Sequence, residues 1–183
     1  MVKPVLILIT GMAGSGKTTF AQFFQEHGFK IITMGDVIRR LAKGMGVSLD
    51  SAALGKLAEE VRKKEGEGVV AEQCLKIIKK EQYSKVVVDG IRSLDEVEVF
   101  RRVHSAKLIA IHASPGTRFK RLLSRGRSDD ANQEKIMIER DLRELGFGVG
   151  SAIAMADYMI VNEGSIQDLK KKFEELSECL PLG

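Results

Sequence analysis

Of the 183 residues, 44% are hydrophobic and 30% charged, with only three prolines, a balance that suits one compact domain and excludes both a disordered chain and a multi-domain machine. Twenty-nine basic residues against 25 acidic ones leave a charge of +4, a modest excess that fits an anionic ligand without choosing between a small phosphate ester and nucleic acid. With no tryptophan and 5% aromatics, a stacking platform for single strands is poorly supplied, so nucleic acid is the disfavoured partner. The early apolar run Val5 to Ile9 is far short of the roughly 20 residues that cross a bilayer. No cleavage pattern follows it, and the expectation is a cytoplasmic protein without a membrane partner. Cys74 and Cys179 lack metal-ligand spacing and read as reduced core residues on apolar helix faces.

In chain order, Val5 to Thr10 reads as a strand buried on both faces, ending in a glycine-rich turn. A helix from Gly16 to His27 follows, with Gly28 as its stop, then a short strand over Lys30 to Met34 and a helix opened by Asp36. Two helices then come in succession, Asp50 to Lys64 and Val69 to Lys80, making 36–83 a helical insertion over the sheet edge. Lys85 to Asp89, Lys107 to Ala113 and Asp157 to Val161 are the remaining strands. Ser165 and Asp168 form a capping pair for the last helix. The alternation predicts a single three-layer α/β/α domain on a five-stranded parallel sheet. Met155, Met159, Phe20, Phe23, Phe24 and Phe173 are assigned to core packing. Gly146 to Gly150 reads as a flexible connection between helices.

The segment Gly11, Met12, Ala13, Gly14, Ser15, Gly16, Lys17, Thr18 fits the phosphate-loop pattern G-x-x-x-x-G-K-[ST], between an apolar strand and an amphipathic helix as the motif requires. Its glycines let backbone amides turn inward on phosphate oxygens, and the helix N-terminus adds partial positive charge. Lys17 would reach the β and γ phosphates of ATP, the Thr18 hydroxyl would hold Mg2+, and Thr19 continues the nucleotide contact. Asp89, at the end of an apolar strand, would reach the same sheet edge as a second magnesium anchor. Six arginines between Arg118 and Arg143 mark 118–145 as a candidate lid. Within it Arg121, Arg125 and Arg127 could fold over the donor phosphates and stabilise the charge of a transferring phosphoryl group.

The loop, Thr33 to Arg39 and Asp89-Gly90-Ile91-Arg92 resemble the successive motifs of adenylate kinase and other nucleoside-monophosphate kinases, over about the first half of the chain. The resemblance implies that Arg39 and Arg92 clamp an acceptor phosphate, although Arg92 follows Asp89 one residue sooner than in the usual D-G-F-P-R. The second half is similar to dephospho-coenzyme A kinase, through Ala156 to Ser165 and the fit of Asp36, Ile38 and Arg40 to D-x-I-x-R. That likeness places Asn162 on the donor nucleotide and Arg40 beside Asp36 on the acceptor. As a whole the chain most resembles an archaeal P-loop nucleotide-kinase-like family related to both enzymes. The implied activity is ATP-dependent transfer to a small nucleotide-like acceptor.

A monophosphate acceptor is already ionised and would leave Asp36 to position a helix or an arginine. A sugar hydroxyl must lose a proton, a task for Asp36 as general base. A different class, a regulatory ATPase or nucleotide-responsive binding protein, is served by the same loop. A guanine-nucleotide switch is disfavoured, because no N-K-x-D or T-K-x-D segment occurs.

Overall fold

The computed structural model describes residues 4–125 and 131–180, with side chains at all of these but 125 and 131–133. Five strands, β1 (Val5–Thr10), β2 (Lys30–Thr33), β3 (Lys85–Ile91), β4 (Ala106–His112) and β5 (Tyr158–Val161), form one sheet in the order β2-β3-β1-β4-β5. Every neighbouring pair is parallel. The central strands carry unbroken apolar runs, Val5 to Ile9, Val86 to Val88 and Leu108 to Ile111, because both faces are covered. Leu6 and Leu8 point into one core with Val86, Val88 and Leu108, whereas Ile7 and Ile9 point into the other with Val87, Ile109 and Ile111.

On the second face lie α1 (Lys17–Phe23), its 3-10 extension Phe24–His27 and α9 (Ile166–Ser177), whose Phe20, Phe24 and Phe173 rings meet edge to face. The first face is covered by α2 (Met34–Met45), α4 (Val69–Lys80) and α5 (Leu94–Val103). Between α2 and α4 comes α3 (Ser51–Glu65), started by Asp50, whose carboxylate accepts from the amides of Ala52 and Ala53. The chain also holds α6 (Pro115–Arg125), α7 (Ala131–Gly146) and α8 (Val149–Ala154). Ser165 and Asp168 make a reciprocal capping box at α9.

Several expectations are corrected. The first helix is α-helical only to Phe23 and then tightens to a 3-10 turn that ends at left-handed Gly28. Cys74 is buried, but Cys179 lies past the end of α9 and is exposed. Met155 and Met159 are exposed rather than core, because α8 ends before the first and β5 is an edge strand that turns the second outward. Gly146 to Gly150 is an ordered junction: Gly148 adopts φ 98° to start α8, and Phe147 lies under the Arg62 guanidinium at 4.8 Å. Among the described residues no helix is long and apolar enough to cross a membrane.

Candidate active site

The phosphate loop is held from behind by its carbonyls. Arg118 donates to the Ala13 oxygen at 3.0 Å and the Asn162 side chain donates to the Ser15 oxygen at 2.8 Å, both buried. Across a trans peptide plane the next amide points the opposite way, so the Gly14 and Gly16 N–H groups face away from these anchors. Both glycines have positive φ, 78° and 99°. A Cβ at Gly14 would stand 2.7 Å from the Arg118 carbonyl oxygen, and one at Gly16 would overlap the Asn162 amide. The loop is thus shaped as a cradle whose side-chain volume is already taken, the geometry in which backbone amides bind anions.

Lys17 donates to the Met12 carbonyl at 2.9 Å. Burial lowers its ammonium to about 8, against the opposing attraction of Asp89 and Glu144, while Arg92 and Arg140 push the same way as burial. Thr18 donates its hydroxyl to Asp89 Oδ2 at 2.8 Å. The β1–β3 register slips at this point, Ile9 pairing with Asp89 but Thr10 with Ile91, so that Gly90 forms a bulge at φ 101° and the ladder ends beside the loop. Asp89 is 2% exposed and its Oδ1 has no hydrogen-bond partner. Burial raises its carboxyl above the ordinary value although Lys17 and the Thr18 hydroxyl oppose it. A buried, half-satisfied carboxylate beside a hydroxyl fits a hard divalent cation such as Mg2+, which takes few protein ligands and completes its shell with phosphate and water. Among the described residues no cluster of three His, Cys, Asp or Glu side chains occurs, which suits that division of ligands.

On the β3 side of the loop opens a cavity of about 200 Å³. Ile38, Leu54, Ala58 and Val70 line it on the apolar side, and Arg39, Arg92, Arg140, Arg143 and Glu144 on the polar side. Glu144 is 3% exposed and takes Arg140 at 3.0 Å and Arg92 at 3.5 Å on the same oxygen. Burial alone would raise its carboxyl, but Arg92, Arg140 and Lys17 together hold it below the ordinary value. Asp36 stands in the first turn of α2, half-exposed and paired with Arg39 at 2.6 Å. Arg39 lines the cavity, whereas Asp36 and the exposed Arg40 are outside its lining.

On the other side of the loop a cavity of about 280 Å³ is lined by Gly16, Thr19, Arg121, Ser124, Asn162 and Gly164. Arg121 fixes the turn after β5, donating to the carbonyls of Asn162 and Gly164 at 2.9 Å each. Asn162 lines this cavity while its amide holds the Ser15 carbonyl. The side chain of Arg125 and all of Arg127 lie outside the described residues.

The sequence reading missed Glu144 and the separate duties of Arg118, Arg140 and Arg143. A signal for Glu144 existed: it lies seven residues, two helical turns, from the buried Met137 and so falls on the same inward stripe. Arg118, at the start of the 118–145 segment, braces the loop from beneath, being 4% exposed and locked to Asp141 through both its terminal nitrogens, at 3.1 and 2.6 Å.

A family profile described as an AAA domain matches residues 7–144. The UPF0200 protein of Methanocaldococcus jannaschii is 44% identical over 174 residues, spanning 94% of this chain and 88% of the relative. Among solved structures, TT1252 from Thermus thermophilus superposes with a TM-score of 0.67 at 22% identity, covering 97% of this chain and 98% of that one. Shikimate kinase from Acinetobacter baumannii in complex with shikimate gives 0.58 at 18%, covering 97% and 95%. Dephospho-CoA kinase from Campylobacter jejuni gives 0.54 at 16%, covering 94% and 95%. At these identities the structures share the fold and nothing finer. The parallel sheet, the loop after β1 and the extent of these matches agree: the chain belongs to the UPF0200 family and has the P-loop kinase-like fold.

Proposed function

We propose that the protein is an ATP-dependent phosphotransferase that moves the γ-phosphoryl group to a small nucleotide-like acceptor. One observation carries this reading. Asp89, bonded to Thr18 of the loop at 2.8 Å, and Arg92, which lines the arginine cavity and meets Glu144 at 3.5 Å, stand three residues apart at the end of β3, so the loop and the arginine-lined cavity are neighbours. A protein that only bound or hydrolysed nucleotide would have no use for a second basic cavity there. Shikimate kinase and dephospho-CoA kinase, which share the fold, both carry kinase names, and this supports the reading.

In this proposal Gly11 to Thr19 cradles the donor phosphates, with Lys17 on the transferring group. Thr18 and Asp89 hold Mg2+, which when bound neutralises phosphate charge. Arg121, Arg125 and Arg127, in the 118–145 lid region, serve the donor, while Asn162 keeps the loop in shape. The helical segment 36–83 encloses the acceptor, with Arg39, Arg40 and Arg92 on its anionic groups. Asp36 orients Arg39, or accepts a proton where the acceptor offers a hydroxyl.

The test is ADP formation from Mg-ATP with AMP, CMP, dephospho-coenzyme A and shikimate added singly. At least one is expected to stimulate turnover well above the basal rate. Lys17→Ala is expected to abolish that stimulation while melting like the wild type. No stimulation across the panel, or undiminished transfer by the variant, would return the protein to the class of nucleotide-responsive ATPases.

A further inference from the structure

The charges of the arginine cavity do not balance among themselves. Five guanidinium groups line it, those of Arg39, Arg62, Arg92, Arg140 and Arg143. Arg62 is neutralised by Glu96 at 2.6 Å with both buried, and Arg39 by Asp36 at 2.6 Å on the rim. Arg92 and Arg140 share the single carboxylate of Glu144. Arg143 has no carboxylate within ion-pair distance among the described residues. Its guanidinium lies against α3 where Gly55 leaves room, a Cβ there falling 2.5 Å from its central carbon. One terminal nitrogen reaches the Ser51 carbonyl at 3.4 Å, and the buried Nε has no partner. Three carboxylates against five guanidinium groups leave two positive charges, and the buried Nε groups of Arg62 and Arg143 are both without a partner. A buried unpaired donor is a standing cost that a ligand oxygen can remove.

We infer that this cavity is charge-matched to a doubly ionised tetrahedral group, the dianion of a phosphate monoester, and that Glu144 is the residue that sets the match. The inference rests on the reading of this cavity as an acceptor site and narrows the acceptor to a phosphorylated small molecule. Without Glu144 the walls would carry three unbalanced charges. Without Arg143 they would carry one, enough for a carboxylate or sulfate. The apolar wall of Ile38, Leu54, Ala58 and Val70 receives the body of the ester. Such an acceptor presents an oxygen that is already ionised. As that oxygen bonds to the γ-phosphorus, the β–γ bridging bond breaks and its electron pair leaves on ADP, with no proton to remove. The exposed Asp36–Arg39 pair then has no base to supply.

Phenyl phosphate and phenyl sulfate test this, since they share a shape and differ by one charge at pH 8. The full chain is first saturated with magnesium and a non-hydrolysable ATP analogue to fill the loop, and each probe is then titrated by calorimetry. The wild type is expected to bind the phosphate on the order of tenfold more tightly, as one further unit charge facing a partly screened guanidinium requires. Arg143→Gln should shrink that ratio toward unity, and Glu144→Gln should widen it. Circular dichroism melts check both variants, and Arg143→Gln alone suffices if Glu144→Gln does not fold. Equal affinity of the wild type for the two probes, no binding of either, or a ratio that Arg143→Gln leaves unmoved would overturn the inference. If phenyl phosphate binds as expected but no acceptor stimulates turnover, the transfer reading falls and the charge match stands. Turnover with a neutral hydroxyl acceptor, with the two probes bound equally, is the converse.

Discussion

Replacing Arg118 by methionine should be far more damaging than an arginine in a surface-like stretch suggests. The side chain is 4% exposed, and it donates twice to Asp141 and once to the Ala13 carbonyl. Methionine fills much of the volume but leaves the Asp141 carboxylate, itself only 14% exposed, without its cation. Breaking a buried pair from one side costs about 3–5 kcal/mol, whereas replacing both members by apolar groups is often nearly neutral. Arg118→Met is therefore expected to lose about 3–5 kcal/mol, and the double variant Arg118→Met with Asp141→Leu to recover to within about 2 kcal/mol of wild type. Urea denaturation with unchanged slope measures both. The double variant still lacks a donor for Ala13, so its stability should return without its affinity for Mg-ATP, which should stay about tenfold weaker, the worth of one buried charge-assisted hydrogen bond. A single variant costing less than about 1 kcal/mol, or a double variant with wild-type nucleotide affinity, would refute the claim that this pair holds the loop.

Two further outcomes follow from the loop. Phosphate binding should draw a proton onto Lys17 above pH 8: burial has brought its ammonium down to about 8, so the free protein loses this charge as pH rises through that value, while bound phosphate restores it. Calorimetry in buffers of different ionisation heat should show little uptake at pH 7 and about one proton at pH 9, with affinity falling over that interval; pH-independent affinity would contradict the assignment. Gly14→Ala should destabilise the protein by about 2–4 kcal/mol, from a left-handed φ and a Cβ forced against the Arg118 carbonyl, and should weaken nucleotide binding at least tenfold; thermal melts and titration check it, and a variant as stable as wild type would count against the observed loop shape.

What could be read from the chain was what is local. The loop declares itself because positive φ and close backbone approach leave glycine little competition at Gly14 and Gly16, and the strands because burial on both sheet faces demands unbroken apolar runs. The face each strand residue takes then follows from alternation, Leu6 and Leu8 against Ile7 and Ile9. Element ends were less legible. Cys179 lies just beyond the helix whose apolar face is expected to carry it, Met155 lies just past the end of α8, and Met159 is exposed because β5 has a neighbour on one side only. The arginines between 118 and 143 were legible as a group and not as individuals. Composition marks the cluster, but which guanidinium meets Asp141, Glu144 or the backbone of α3 depends on how α7 lies against α6 and α3. That is tertiary information, absent from spacing alone.

The placement of α7 couples the phosphate loop to the arginine cavity. Within five consecutive residues this helix presents Asp141 to Arg118, and through it to the Ala13 carbonyl of the loop, and presents Arg140, Arg143 and Glu144 to the arginine cavity. Four charged side chains on one turn would be an expensive arrangement for a helix that only covered the sheet, because each buried charge needs its own partner. Arg140 pairs with Glu144 within the helix, and the remaining partners lie in different parts of the structure: the loop anchor for Asp141, the end of β3 for Glu144 through Arg92, and α3 for Arg143 at Gly55. A shift of α7 would disturb all three together, since a helix moves as a unit. The loop and the cavity are thus held in register by one rigid element, and the cavity's charge balance is set from the same turn of α7 whose Asp141 braces the loop through Arg118.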